Sequence, residues 1–88
     1  MKIKEGYLLN EVGDTKVVIY VGDDENGLQG IIKLNKMGVF VWQQLEKGCT
    51  AEELIKSVTD RYDVDESTAG RDIDAFLNTL RSENILEE

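Results

Sequence analysis

The sequence predicts an α+β fold in which a three-stranded antiparallel sheet is followed by three helices. Three observations predict it. The first third of the chain is rich in β-branched and aromatic residues, the remainder changes to helical spacing, and a helix start signal precedes each later apolar stretch. No linker, repeat or low-complexity tract divides the chain, so residues 1–88 read as a single domain.

The first two strands are Tyr7–Val12 and Thr15–Val21, with Gly13-Asp14 between them as a two-residue hairpin turn. Gly22 to Gly27 is polar and bounded by glycine, hence a loop, and Leu28–Leu34 is the third strand. Asn35 is placed to cap a helix over Lys36–Lys47, because its side-chain oxygen can accept from a free first-turn amide. Met37, Phe40, Val41, Trp42 and Leu45 form the buried face of that helix, and Gly48 ends it. Gly38 inside it costs about 1 kcal/mol relative to alanine, which predicts close packing against the backbone there. Thr50 and Glu53 form a capping box for a second helix reaching about Tyr62, with Leu54, Ile55, Val58 and Tyr62 on one face. Asp65 caps a third helix to about Glu83, whose inward stripe is Ala69, Ile73, Phe76, Leu77 and Leu80. Ile85-Leu86 closes the core, and the whole order is winged helix-turn-helix-like.

Composition excludes several functions. The chain has 88 residues, with 10 basic and 18 acidic side chains and a net charge of −8. A domain this small buries only ~60–65% of its unfolded surface, so it has little room for an elaborate pocket. No apolar run approaches the ~18 residues that span a bilayer, and the amino end, MKIKEGYLL, lacks the apolar core of a signal peptide. With one cysteine and no internal disulfide, a cytoplasmic location is expected, with no membrane partner. There is no histidine, so triads, imidazole bases and the usual zinc sites are missing, and no catalytic residue, metal or cofactor is expected. Cys49 precedes a helix next to Glu52 and Glu53, whose charge disfavours a thiolate. If Gly27 stood sixth in a calcium loop, Gly22 and Lys33 would occupy its first and twelfth positions, where carboxylates are needed.

Nucleic acid is a poor match. Over Asp65–Glu83 two arginines stand against five carboxylates, a net −3, on the helix that a winged-helix DNA binder would bring to the phosphates. A basic peptide, or a basic patch on a partner protein, suits the charge better.

The joint spacing of several positions carries a resemblance. Leu34-Asn35 precedes Gly38, Val41-Trp42 and Leu45 precede Gly48, and Thr50 stands before Glu53-Leu54-Ile55. Tyr62 and Val64 follow, then Asp72-Ile73, Phe76-Leu77, Leu80 and the closing Ile85-Leu86. Over about Gly30 to Leu86 this resembles the PqqD-like family of peptide-recognition elements, which serve ribosomally synthesised, post-translationally modified peptides. Asn84 stands where that family has glycine, and asparagine also tolerates the left-handed conformation.

The resemblance implies a non-catalytic adaptor. A precursor's leader segment would add as a strand to the sheet edge, between the third strand and the third helix, for presentation to a modifying enzyme. The partner enzyme would be a radical S-adenosylmethionine enzyme or a leader peptidase, and the adaptor a monomer or weak homodimer. Leu28, Gln29, Gly30, Ile31, Ile32, Lys33 and Leu34 are then the peptide-binding strand, Ile31 being apolar with no internal reason to be so. On the third helix, Asp72, Ala75 and Thr79 lie on one flank of the inward stripe and Asp74, Asn78 and Arg81 on the other. Small Ala75 favours the first flank, so Asp72, Ala75, Phe76 and Thr79 complete the expected site. Two rival classes remain, a winged-helix regulator and a structural subunit whose open edge pairs with itself.

Overall fold

The computed structural model describes residues 1–22 and 31–88. Its elements are β1 (Lys2–Ile3), β2 (Tyr7–Val12), β3 (Thr15–Tyr20), β4 (Ile32–Leu34), α1 (Lys36–Lys47), α2 (Ala51–Arg61), α3 (Glu66–Ser82) and β5 (Leu86–Glu87). This is the expected three-stranded antiparallel sheet, in the order β2-β3-β4, followed by three helices. Leu28, Gln29 and Gly30 of the expected third strand lie outside the described residues, as do Asp23 to Gly27 of the preceding loop.

Val12 pairs with Thr15 across the turn, and Gly13 takes φ +62°, the left-handed value that a two-residue hairpin demands. Leu9 then faces Val18, and Val18 faces Ile32, so one face of the sheet meets the helices. The core joins Tyr7 and Val18 of that face to Val41, Trp42 and Leu45 of α1, Leu54 and Val58 of α2, and Ala69, Ile73, Leu77 and Leu80 of α3. Phe40, Met37, Ile55, Tyr62 and Phe76, expected inside, are half-buried at its margin.

All three helix starts are capped by the residues their chemistry selects. Asn35 Oδ1 accepts from the Gly38 amide at 2.8 Å. Thr50 and Glu53 exchange both capping-box bonds, at 3.1 and 2.8 Å. Asp65 accepts from the Thr68 amide at 2.7 Å, and that amide holds its carboxyl below the ordinary aspartate value. Asn35→Ala is expected to cost about 1 kcal/mol, measured by urea unfolding, because a first-turn amide loses its acceptor.

The sequence assigned no element to the first six residues and read Ile85-Leu86 only as core closure. Instead Lys2 pairs with Glu87 and Ile3 with Leu86 in a second, two-stranded sheet. Two-residue strands leave no periodicity to read, and their partners lie at opposite ends of the chain. Asn84 makes the reversal possible with φ +60°, while the Ile85 amide donates back to the Leu80 carbonyl at 2.9 Å.

Candidate functional site

β4 pairs with β3 on one side, and within the described residues its other side bonds to no strand. Facing that open side is α3, and a groove lies between them. One part, about 180 Å³, is lined by Ile32, Lys33, Leu34, Asn35, Gly38, Phe76 and Thr79. The other, about 320 Å³, is lined by Asn35, Met37, Gly38, Val41, Asp72, Ile73, Ala75 and Phe76. Asn35, Gly38 and Phe76 belong to both linings, so the two parts are continuous.

Each wall follows from local sequence. Alternation along β4 turns Ile32 and Leu34 toward the helices, half-buried, and leaves Lys33 exposed on the other face. Helical spacing places Asp72, Ala75, Phe76 and Thr79 along one flank of α3. Asp74, Asn78 and Arg81 of the opposite flank line neither part, and Arg81 is committed to Asn78 at 2.9 Å and Glu88 at 2.7 Å. The Thr79 hydroxyl donates to the Ala75 carbonyl at 3.2 Å, so its proton is already used. Asp72 has no ion pair among the described residues and stands exposed at the groove's rim, available to a cation.

Gly38 contributes through what it lacks. A Cβ there would stand 3.3 Å from Asn35 Oδ1 and 3.4 Å from the Leu34 Cβ, tighter than ordinary packing. The close approach expected at this glycine is therefore made by its own cap and the end of β4. Sequence reasoning placed Asn35 as the cap of the helix and Met37, Gly38 and Val41 within it, but not at the site. The signal was a glycine in a helix interior, whose missing side chain leaves the groove open beside α1.

Ile31 is not part of this lining. It is 57% exposed, and alternation turns it with Lys33 to the face away from the helices. Leu8, Val12 and Val21, the other exposed large apolar residues described, share that outward face by strand register and alternation.

The remaining chemistry is sparse. Burial pushes the Cys49 thiol up and Glu53 adds to the shift, although the nearby N-terminal ammonium opposes it, so the thiol stays protonated at neutral pH. Among the described residues no three acids or cysteines lie close enough to hold a metal ion, and no helix is long and apolar enough to cross a membrane.

The model of the family described as coenzyme PQQ synthesis protein D matches residues 5–86. The chain belongs to the PqqD family. Among solved structures, TbiB1 in complex with the TbiA(β) leader peptide is similar at TM-score 0.79 and 28% identity, with 99% of this chain and 95% of that one covered. Lasso peptide synthetase B1 complexed with the leader peptide is similar at TM-score 0.75 and 18% identity, over 99% and 96% of the two chains, and this likeness shows the fold. No curated relative matches the sequence at a significant level. The fold of this PqqD-family chain is thus the α+β, winged helix-turn-helix-like one that its hydrophobic order predicts.

Proposed function

We propose that this PqqD-family chain is a non-catalytic adaptor that binds the leader segment of a ribosomally synthesised precursor peptide and presents the precursor to a modifying enzyme. The observation that carries the reading is the open side of β4 facing α3 across a groove. An extended peptide entering there can bond its backbone to the unpaired side of β4 and lay alternate side chains between Phe76, Ala75 and Leu34. TbiB1, built on the same fold, was solved in complex with a leader peptide, which supports a leader peptide as the ligand here.

The peptide-binding residues are Leu28 to Leu34, of which Ile32–Leu34 form β4, and Asp72, Ala75, Phe76 and Thr79 on α3. Ile31 faces outward, so it touches the outward side chains of an added strand rather than those entering the groove. Asp72 pairs with a basic leader residue, a match that the net charge of −8 reinforces over longer range. Tethering raises the effective concentration of the precursor's core at the enzyme, so a binding module speeds chemistry it does not perform. The enzyme is a radical S-adenosylmethionine enzyme or a leader peptidase, and the assembly works in the cytoplasm without a cofactor of its own.

Titration of ¹⁵N-labelled protein with the leader of a precursor encoded beside it tests the reading. Amide shifts concentrated at residues 31–34 and at Asp72, Ala75, Phe76 and Thr79 are the expected result. Ile31→Asp should weaken leader binding about tenfold while urea unfolding stays within ~0.5 kcal/mol of the parent, as for other exposed positions. Unchanged binding would remove Ile31 from the site.

Self-association is the second reading, favoured by the same open edge and by Leu8, Val12, Val21 and Ile31 on the outward face. A doubled mass in solution together with no leader shifts would establish it in place of leader capture.

A further inference from the structure

A cavity of about 590 Å³ lies on the opposite flank of α1 from the groove. Lys36, Val39, Phe40 and Gln43 line it, whereas Met37, Gly38 and Val41 line the groove, and on a helical wheel these two sets are centred roughly 150° apart. Its apolar wall is Leu34, Val39, Phe40 and Tyr62, with Phe40 and Tyr62 edge to face at 5.9 Å. Its rim is cationic: Lys16, Lys36 and Arg61 against Asp14 as the single acid of the lining.

Such a rim is unusual in a chain of net charge −8. Lys16 is already paired with Glu11 at 3.0 Å. Lys36 and Arg61 have no carboxylate partner among the described residues, and the Arg61 guanidinium lies 5.3 Å over the Phe40 ring. Leu34 and Asn35 line both this cavity and the groove, so the two adjoin at the end of β4.

We propose that this cavity is a second subsite for the precursor peptide, taking an acidic segment with one aromatic or branched side chain next to the strand-paired stretch. The inference rests on the leader-capture reading and adds to it a chemical requirement on the peptide. The bulky side chain packs on Phe40 and Tyr62, and the neighbouring carboxylate accepts charge-assisted hydrogen bonds from Lys36 and Arg61. The two sites then ask for opposite charges, a basic residue near Asp72 on one flank of α1 and an acidic one beside Lys36 and Arg61 on the other, both near the end of β4.

The test uses two short probes, acetyl-Glu-Phe-Glu-amide and acetyl-Lys-Phe-Lys-amide, titrated at millimolar concentration into the ¹⁵N-labelled full chain. The acidic probe should shift the amides of Lys36, Val39, Phe40, Arg61 and Tyr62, more weakly as salt is raised, and the basic probe should not. Equal shifts from both probes, or none from the acidic one, overturn the subsite. Lys36→Glu combined with Arg61→Gln changes only exposed residues and should lower affinity for the leader about tenfold while the shifts at residues 31–34 persist. Unchanged affinity with those shifts intact overturns the subsite and leaves leader capture standing. If the parent protein binds no leader at all, leader capture itself fails, and with it the assignment of the precursor as occupant.

Discussion

Ala75→Trp is expected to reduce leader affinity at least about a hundredfold while leaving the domain folded. Ala75 is exposed on α3 and lines the groove beside Phe76, so an indole there occupies the space the peptide needs. An added strand draws on several backbone hydrogen bonds worth roughly 0.5–1.5 kcal/mol each and on buried side chains worth roughly 1.5–3 kcal/mol each. Displacing even part of the strand removes about 3 kcal/mol, which is a hundredfold in affinity. Isothermal titration of the leader against parent and variant measures the loss, and circular dichroism checks the fold. Affinity within a factor of two of the parent would mean that the peptide does not use this flank of α3. The same substitution leaves the cationic cavity untouched, because Ala75 is no part of its lining.

Trp42→Ala should be the most damaging single change to stability, costing about 3–5 kcal/mol. Trp42 is fully buried where α1 meets the rest of the core. At roughly 0.05–0.15 kcal/mol per residue, a domain of 88 residues has only ~4–13 kcal/mol of stability in all. The variant therefore sits close to its unfolding threshold, and urea unfolding followed by circular dichroism should show the midpoint fall sharply. Among the described residues the Trp42 indole Nε1 has no hydrogen-bond acceptor, although it is buried. Trp42→Phe should therefore cost clearly less than Trp42→Ala, since it keeps most of the ring volume and removes an unsatisfied donor that itself costs about 1–3 kcal/mol. Equal costs for the two variants would mean that ring volume contributes little at this position.

Much of the fold could be read from local chemistry. Asn35, Thr50 and Asp65 announce the three helices because a cap is decided within four residues, and all three bonds form as expected. Gly13-Asp14 announces the hairpin for the same reason, since a two-residue turn restricts backbone angles without help from distant contacts. The pairing of β1 with β5 could not be read this way, because it joins the two ends of the chain through strands of two residues each.

The candidate site divides along similar lines. Alternation and helical spacing sorted Ile32 and Leu34 from Ile31 and Lys33, and the Asp72 flank of α3 from the Asp74 flank. Those are periodicities, present in any single element before it packs. Which flank borders the groove is set by the angle at which α3 meets β4. That the groove is also lined by Asn35, Met37 and Gly38 depends on α1 lying alongside it.

By itself, then, the sequence determined the order and type of the main elements, the positions of the caps, the inward stripes and an acidic surface ill-suited to nucleic acid. Periodicity, turn chemistry and charge are properties of neighbouring residues, and they survive without a tertiary structure. Only the tertiary structure decided that, among the described residues, one side of β4 stays unpaired next to α3, that Asn35, Met37 and Gly38 join the lining of the groove, and that Lys36 and Arg61 line one cavity with Phe40. Each of these is a juxtaposition of segments far apart in the chain, brought together by burial of a shared apolar core that is blind to the polar groups it carries to the rim.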